Sequence, residues 1–237
     1  MYTLFFTSPE EIKKDAITLD GLEARHAISV LRVRTGEVIR LADGLGNWVE
    51  GEINSVAKES LTISVTKHGF DHANVVAITV AQALLKGDNQ KAALDQLVQA
   101  GVDSIIPWRA FRSIGAADKS EKWQEVIRAA AKQSRRSRIP NLLPKMELHE
   151  LSKNFSRYDK VIALHESAKA KLTTISGLEK CREVLVIVGP EGGLTEDELG
   201  VLVNAGAVAV CLGDPVIRAD LAGALAMGAI HALTGNW

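Results

Sequence analysis

The most constraining feature of the sequence is an apolar run that leads directly into a glycine-rich turn. Residues 184–188 are followed by Gly-Pro-Glu-Gly-Gly at 189–193, and Glu198 lies three residues after Thr195. A short run of mostly β-branched residues without polar alternation is typical of a strand buried on both faces, as in a parallel sheet. Thr and Glu at this spacing form a capping box, which marks the start of a helix. The segment therefore predicts a strand, a glycine loop and a helix, with backbone N–H groups at the carboxyl end of the strand.

A second block of the same kind follows that helix. Residues 208–212 end in Gly213-Asp214-Pro215, and Val216-Ile217-Arg218 leads into a long helix rich in alanine. Two glycine loops at two adjacent strand ends predict one shared pocket. The first loop is neither a GxGxxG fingerprint nor a P-loop, since no Gly-Lys-Ser/Thr closes it. A ligand-binding loop and a purely structural turn both stay open on this pattern alone.

The order of the predicted strands and helices divides the chain into two domains. Short strands at 38–41, 48–53 and 61–65, separated by Gly, Asp and Asn, predict a small β-barrel over residues 1–72. Strands and helices alternate over residues 73–237, which predicts a mostly parallel sheet with helices on both faces. The expected fold class is therefore α/β, preceded by a small β domain.

Composition excludes several classes of protein. Of the 237 residues, 46% are hydrophobic and 24% are charged, and the net charge of −1 gives no global field that would attract a polyanion. Cys181 and Cys211 lack the spacing of metal ligands or of a disulfide framework. We therefore expect no metal and a reducing, cytoplasmic setting. Neither a signal peptide nor a membrane-spanning segment is expected.

Two local clusters of positive charge are candidate contacts for a polyanion. One contains Arg135, Arg136 and Arg138, close to the end of a predicted helix. The other, on the predicted β domain, contains Arg25, His26, Arg32 and Arg34. Such clusters neutralise phosphates, but basic residues at a helix end also suit the helix dipole, and both interpretations stay open. Aromatic residues do not interleave with the basic ones, so no stacking platform for single strands is expected.

Three side chains near the two loops are candidates for chemistry. Glu191 lies inside the glycine loop, where it either orients a substrate or caps a helix. Arg218 is isolated in an apolar run and needs a partner or a ligand, because burying an unpaired guanidinium is costly. His165 follows a predicted strand end but is not part of an HExxH zinc motif, since position 169 is Lys. No nucleophile and base stand at a readable spacing, so the sequence assigns no catalytic base.

The two loops and several stretches before them together resemble one family. GPEGGLTEDEL and LGDPVIRADLAGALA are similar to the C-terminal signature of the SPOUT methyltransferases of the RsmE type. LLKGDNQKAALDQLVQAGVDSIIPW and AAAKQSRRSRIP resemble further stretches of that family. RHAISVLRVRTGEVIRLADGLGNWVEGEI resembles its PUA-like β-barrel. The resemblance covers nearly the whole chain.

The resemblance implies a fold, a cofactor and a reaction. The family joins a PUA-like β-barrel to an α/β methyltransferase domain with a deep trefoil knot, and it works as a homodimer. It transfers a methyl group from S-adenosyl-L-methionine to N3 of a uridine in the 16S RNA of the small ribosomal subunit. The implied catalytic residues are Arg218 and Glu191. The implied cofactor-binding residues are Leu164, Gly189, Glu191, Gly192, Gly193, Leu212, Gly213, Val216, Ile217 and Leu221. The implied RNA-binding residues are Arg25, His26, Arg32, Arg34, Arg112, Arg135, Arg136 and Arg138.

The last loop departs from the family pattern. The family reads Leu-Gly-x-Arg-Ile-Leu-Arg-Thr-Glu-Thr-Ala, whereas here Pro215 replaces the first Arg and Ala219-Asp220-Leu221 replace Thr-Glu-Thr. We expect this change to remove side-chain hydrogen-bonding groups near the pocket. Three alternatives to the family's reaction therefore stay open. They are a non-catalytic RNA-binding or ribosome-assembly module, a SPOUT methyltransferase with a different RNA target, and an α/β enzyme acting on a small nucleotide.

Overall fold

The chain forms two compact units, and the computed structural model describes residues 2–114 and 120–237. The first unit contains the residues up to Ala73 together with Ala131–Ile139, and the second contains Asn74–Ala130 and Pro140–Trp237. The sequence predicted a single division, between residues 72 and 73. The segment Ala131–Ile139 instead groups with the first unit, so that unit is discontinuous in sequence.

The first unit is built on one five-stranded sheet. Its strands are β1 (Leu4–Phe6), β2 (Ala16–Leu19), β3 (Val38–Ala42), β4 (Asn47–Val56) and β5 (Leu61–Phe70). Their order is β1-β3-β4-β5-β2, with β1 parallel to β3 and the other pairs antiparallel. Alternating apolar residues turn one face toward a core that includes Phe5, Leu41 and Ile63.

A helical segment between β2 and β3 carries one of the predicted basic clusters. Helix α1 (Gly21–Arg25) continues into a π-helical turn, His26–Leu31, and Ala24 and Ala27 face the core. The turn ends at Arg32, whose φ of 55° is left-handed.

The second unit contains a parallel sheet. Its strands are β6 (Ala77–Ala83), β7 (Ser104–Arg109), β8 (Asn141–Leu142), β9 (Met146–Glu147), β10 (Lys160–Leu164), β11 (Glu183–Val188) and β12 (Val208–Val210). The order is β12-β10-β11-β6-β7-β8, β9 also pairs with β7, and every pair is parallel. The predicted parallel sheet is thus confirmed. The prediction that the two glycine loops follow adjacent strands is wrong, because β10 lies between β11 and β12.

Helices cover both faces of this sheet. They are α2 (Asp88–Gln99), α4 (Leu148–Lys153), α5 (Glu196–Asn204) and α6 (Ala219–Thr234). A further helix, α3 (Ser120–Gln133), runs from the second unit into the segment that groups with the first. Helices α2 and α6 pack together, and Gly223 of α6 lies against Val188 of β11. The preceding residue, Ile187, points to the opposite face, where it packs in one cluster with Leu151 of α4 and Leu202 of α5. None of the described helices combines the length and the apolar character needed to cross a bilayer.

Replacing Gly223 by alanine tests how closely α6 packs on the sheet. A Cβ at Gly223 would lie 2.8 Å from Leu97 Cδ2 and 3.3 Å from Val188 Cγ2, and both neighbours are buried. Overpacking a close-packed core strains it, so we expect Gly223→Ala to lower the free energy of unfolding by about 1 kcal/mol. Chemical denaturation measures this change.

Gly200→Ala is the matched control. Gly200 also lies inside a helix, but no atom lies within 4 Å of a Cβ built there. Alanine should therefore gain helix propensity without a clash and stabilise the protein by about 0.5–1 kcal/mol. Equal stabilisation by both substitutions would contradict the close packing at Gly223.

Candidate active site

A cavity of about 390 Å³ lies at the carboxyl ends of β10, β11 and β12. Its walls are the residues after β10, the glycine loop after β11, the loop after β12 and the first turn of α6. The predicted cofactor-binding residues that line it are Leu164, Gly189, Glu191, Gly192, Gly193, Leu212, Gly213, Val216 and Ile217. Leu221 does not line it and is 40% exposed on α6. The prediction of one pocket shared by the two loops is confirmed.

The glycine loop after β11 turns so tightly that its backbone forms the cavity wall. A Cβ at Gly189 would lie 3.2 Å from the Leu194 side chain. Gly193 has a φ of +70° and donates its N–H to the carbonyl oxygen of Pro190 at 2.9 Å. Glycine adopts this left-handed conformation without steric cost. Backbone rather than side chain therefore faces a ligand at this wall.

The carboxylate of Glu191 ties the glycine loop to the start of α2. Its Oε1 accepts hydrogen bonds from the backbone N–H of Lys86 and from Asn89 Nδ2, both at 3.0 Å. Burial raises the pKa of Glu191, but the hydrogen bonds from Asn89 and Lys86 outweigh burial, so this pKa lies below its ordinary value. A carboxylate stabilised in its ionised form is a weak proton acceptor. The geometry favours a positioning role for Glu191 over the predicted catalytic one.

Two further contacts fix the end of β7 beside the cavity. Arg112 lines the cavity and donates from Nη1 to the carbonyl oxygen of Gly192 at 2.7 Å. Glu198 is buried, and its Oε1 accepts from the Phe111 N–H at 2.7 Å while its Oε2 accepts from the Thr195 N–H at 2.9 Å. The predicted capping box of α5 is confirmed, and its carboxylate also anchors the turn after β7.

The loop after β12 offers backbone donors to the cavity. Among its N–H groups that donate to no described residue are those of Leu212, Gly213, Val216 and Ile217. Cys211 anchors the loop, because its N–H donates to the Ala170 carbonyl at 2.9 Å and its carbonyl accepts from Leu172 at 3.0 Å. Backbone donors in proteins are nearly always paired, so donors along a concave wall mark positions for ligand or water acceptors.

An arginine–aspartate pair stands where this loop enters α6. Arg218 donates from Nε to Asp220 Oδ1 at 2.9 Å and from Nη2 to Asp220 Oδ2. The Asp220 side chain is 2% exposed and the Arg218 side chain is 77% exposed. The hydrogen bond from Arg218 lowers the pKa of Asp220 against the opposing effect of burial, and the same pair raises the pKa of Arg218. Arg218 thus has a partner that holds an exposed guanidinium at the cavity.

Asp220 corrects the expectation that this segment has lost its hydrogen-bonding groups. The carboxylate lines the cavity and uses both oxygens to orient Arg218. A bidentate carboxylate–guanidinium pair fixes direction as well as distance. An aspartate two residues after the isolated arginine, in the first turn of a helix, was the sequence signal for this pair. Nothing in the sequence indicated that the Asn89 side chain would donate a hydrogen bond to Glu191.

The residues after β10 complete the cavity. His165 and Glu166 line it together with Leu164. His165 Nδ1 accepts a hydrogen bond from the Ser167 N–H at 3.3 Å, which fixes the orientation of its ring. His165 was a candidate for chemistry in the sequence, and its place in the cavity wall favours a functional role.

Comparison with known proteins identifies the family. A family model described as an RNA methyltransferase domain matches residues 72–231, and one described as an RNA methyltransferase PUA domain matches residues 19–66. The chain belongs to this RNA methyltransferase family. Ribosomal RNA small subunit methyltransferase E from Mycobacterium bovis is 34% identical over 92% of this chain and 87% of its own length. The protein of that name from Bacillus subtilis is 28% identical over 97% of this chain and 94% of its own length.

A solved structure of the same family has the same fold. It is ribosomal RNA small subunit methyltransferase E from Neisseria gonorrhoeae bound to S-adenosyl methionine. Its TM-score to this chain is 0.87, with 28% sequence identity over 98% of both chains. The resemblance found in the sequence is thus confirmed for both domains.

Within this family frame, the predicted RNA-binding residues fall into two groups. Arg112 lines the cavity in the second unit. The others lie in the first unit: Arg25, His26, Arg32, Arg34, Arg135, Arg136 and Arg138. The sequence assigned the two basic clusters to different domains. That assignment is wrong, because Ala131–Ile139 packs within the first unit.

The Arg218–Asp220 pair predicts a pH-dependent contribution to stability. The folded-state pKa of Asp220 lies below its ordinary value of 3.8, so the contribution is complete above that value and is lost as the pH falls through the folded-state pKa. As the pH falls from about 7 to about 3, we expect the difference in unfolding free energy between wild type and Asp220→Asn to become smaller. Urea denaturation across this range measures it. Asp214→Asn is the matched control, because it removes an exposed carboxylate from the same loop. A difference in unfolding free energy between wild type and Asp220→Asn that does not change with pH would contradict the role of the pair.

Proposed function

We propose that this chain transfers a methyl group from S-adenosyl-L-methionine to N3 of a uridine in the 16S RNA of the small ribosomal subunit. The observation that carries the proposal is one cavity in which the backbone donors of two glycine loops meet the Arg218–Asp220 pair. Membership of the RNA methyltransferase family supports the reaction class. The name shared by relatives in Mycobacterium and Bacillus supports the substrate, and a ribosome-modifying enzyme would work in the cytoplasm.

The residues around the cavity fit S-adenosyl-L-methionine. A volume of about 390 Å³ is adequate for a molecule of this size. Apolar Leu164, Val216 and Ile217 suit the faces of an adenine ring, while the unpaired N–H groups suit its ring nitrogens and a carboxylate. Backbone at Leu164, Gly189, Gly193, Leu212, Gly213 and Ile217 would hold the adenine and the methionine part. When bound, the cofactor supplies an electrophilic methyl group on a sulfonium.

Arg218 is the residue proposed to stabilise charge on the uridine. The N3–H of uridine is a weak acid, and its proton must leave before the nitrogen lone pair is available, so negative charge develops on the base. Two N–H groups of Arg218 donate to Asp220, and its remaining N–H groups are available to the substrate. Because Asp220 fixes the guanidinium in advance, little reorganisation accompanies the development of charge. Asp220 is a positioning residue in this scheme.

The target base has to reach the cavity from the RNA. N3 lies on the pairing edge of uracil, so the base must be unpaired or leave its stack. We propose that Arg112 contacts the RNA at the cavity and that the basic residues of the first unit bind phosphates. Phosphate contacts of this kind fix position and orientation without reading sequence.

We also infer that the second unit contains a trefoil knot. Helix α6 packs against two short turns, Leu172–Thr174 and Leu178–Lys180, in the connection between β10 and β11. Lys171 of that connection pairs with Cys211. The C-terminal segment therefore lies against the connection through which a knotted chain would pass. General rules of chain topology disfavour knots, so the family resemblance motivates this inference.

A homodimer through α6 is the oligomeric state we propose. Leu221 and Leu225 lie one turn apart on α6, 40% and 45% exposed, so they form an apolar stripe on its surface. An apolar stripe on a helix that begins at the cavity suits burial against a second copy of the chain.

Arg218→Ala tests the proposed reaction. We expect methyl transfer to fall by about 10²–10³-fold, because a preorganised donor to the developing charge is lost, while cofactor binding measured by calorimetry is retained. The assay follows radiolabelled methyl transfer to small subunits from a strain lacking the enzyme, with nuclease mapping of the modified nucleotide.

Arg157→Ala is the matched control, since Arg157 is an exposed arginine that does not line the cavity. It should leave transfer unchanged. Full activity of Arg218→Ala with normal cofactor binding would contradict the role given to Arg218. Absence of label in wild-type protein with cofactor bound would contradict the proposed substrate.

Leu225→Arg tests the proposed dimer. A charge placed in the middle of an apolar interface is left without a partner, so we expect the dimer to dissociate in light scattering coupled to size exclusion. Val203→Arg, at a 45% exposed apolar position on α5, is the control and should stay dimeric. A wild-type protein that is monomeric at assay concentration would contradict the dimer.

A further inference from the structure

We propose that the first unit carries a stacking site for an unpaired RNA base, formed by the ring of Phe70 and the guanidinium of Arg138. The site belongs to a different unit from the cavity. It rests on the proposed function only in taking RNA as the partner. The sequence predicted no stacking platform, because the residues involved are far apart along the chain.

Phe70 is an aromatic ring that the fold leaves open. It is the last residue of β5 and is 47% exposed. The His72 ring approaches it edge-on, with centroids 5.0 Å apart, and Arg138 Cζ lies 5.0 Å from the Phe70 ring centroid. A cation beside an exposed ring is the combination that binds a base and its phosphate together.

Arg138 is held in place by the backbone around it. Its Nε donates to the carbonyl oxygen of Asp71 at 2.7 Å. It crosses so close to Gly46 that a Cβ there would lie 2.6 Å from Arg138 Nη2. Glycine at position 46, with a φ of +109°, leaves room for the guanidinium. The position of this cation is therefore built into the turn between β3 and β4.

The Asp71 side chain joins the three chain segments of the site. Its Oδ1 accepts from Trp48 Nε1 at 2.9 Å, and its Oδ2 accepts from Ser137 Oγ at 2.5 Å. Ser137 is 1% exposed. Because both oxygens are engaged, the carboxylate fixes the segment that carries Arg138 against the end of the sheet. The stacking site is preorganised rather than formed by loose side chains.

Further cations lie against rings in the same unit, but Trp48 is 9% exposed and the Arg40 side chain is 11% exposed, so this pair supports the site from within and offers no second stacking face. Arg40 Cζ lies 4.0 Å from the Tyr2 ring centroid and 3.8 Å from that of Trp48, and Arg40 also pairs with Glu50 at 2.6 Å. Additional cations near these rings are Lys67, 5.3 Å from the Trp48 centroid, and Arg135, 5.8 Å from the Tyr2 centroid.

Arg135 is presented on this surface by the end of α3. Its φ of 57° is left-handed, the conformation in which helices commonly end. Its N–H donates to the Lys132 carbonyl at 3.1 Å, and the N–H of Arg136 donates to the Ala131 carbonyl at 2.9 Å. These two bonds close the end of the helix and leave Arg135 exposed.

An unpaired nucleotide fits this surface better than a duplex or a protein. Bases inside a duplex are already stacked and cannot cover the Phe70 ring, whereas an unpaired base can. Phosphates on either side of that base meet Arg138, Arg135 and Lys67, which supply the charge complementarity. An apolar protein partner would leave these cations without a counterpart.

The test compares binding of a fluorescently labelled single-stranded oligouridylate and an RNA duplex of the same length, by anisotropy with the full chain. We expect the single strand to bind more tightly, and Phe70→Leu to weaken it about ten-fold, since leucine keeps apolar bulk but has no π face. Phe70→Trp should retain the affinity. Arg138→Gln should weaken binding and reduce its salt dependence.

Val38→Ala is the matched control, because Val38 is a 52% exposed apolar residue at the end of β3 that lies away from the stacking site. It should bind like wild type. Wild-type affinity in Phe70→Leu would overturn the proposal and indicate apolar docking of a protein or no docking. Equal affinity for duplex and single strand would overturn it as well. Thermal unfolding confirms that each variant is folded.

The same variants separate this inference from the proposed function. Equal RNA binding by all variants, with methyl transfer intact in wild type, would refute the stacking site alone. Absent methyl transfer by wild type, with the binding differences intact, would refute the proposed reaction and leave the stacking site standing.

Discussion

The site in the second unit depends on backbone N–H groups that have no partner among the residues that the structure describes. Parallel strands bring their carboxyl ends to one edge, and the glycine loops there keep side chains away from the backbone. Such loops are mobile unless something fixes them. Here Glu191 fixes the first loop to the start of α2, and Glu198 fixes the turn after β7 to the start of α5. The cavity is therefore defined by backbone and kept in shape by buried or hydrogen-bonded carboxylates.

Two of the carboxylates at the cavity are unsuited to act as a general base. Glu191 is committed to Lys86 and Asn89, and Asp220 is committed to Arg218. Both pKa values lie below their ordinary range, which suits a scaffold better than proton transfer. The chemistry that this arrangement favours is stabilisation of charge on a substrate by an oriented cation. In the altered last loop of this chain, Asp220 performs the orienting task.

Local signals predicted the parts of this protein that local chemistry determines. The strand, loop and capped helix around Thr195 follow from β-branching, glycine and a capping box, all within a few residues. The placement of β10 between β11 and β12 depends on pairing between distant segments, which hydrophobic pattern does not encode. Asp71 illustrates the same limit, because its partners Trp48 and Ser137 are far away in sequence. The family resemblance supplied the cofactor and the substrate class, which no spacing or composition revealed.

Because Ala131–Ile139 belongs to the first unit, that unit cannot be completed until this later segment has been synthesised. A ribosome synthesising this chain releases β1 to β5 early, but Asp71 has no Ser137 and Gly46 has no Arg138 until residue 139 has left the exit tunnel. By then β6, α2 and β7 have already emerged. The first unit is thus completed only after part of the second has been synthesised, and a gene fragment ending at residue 73 encodes an incomplete domain.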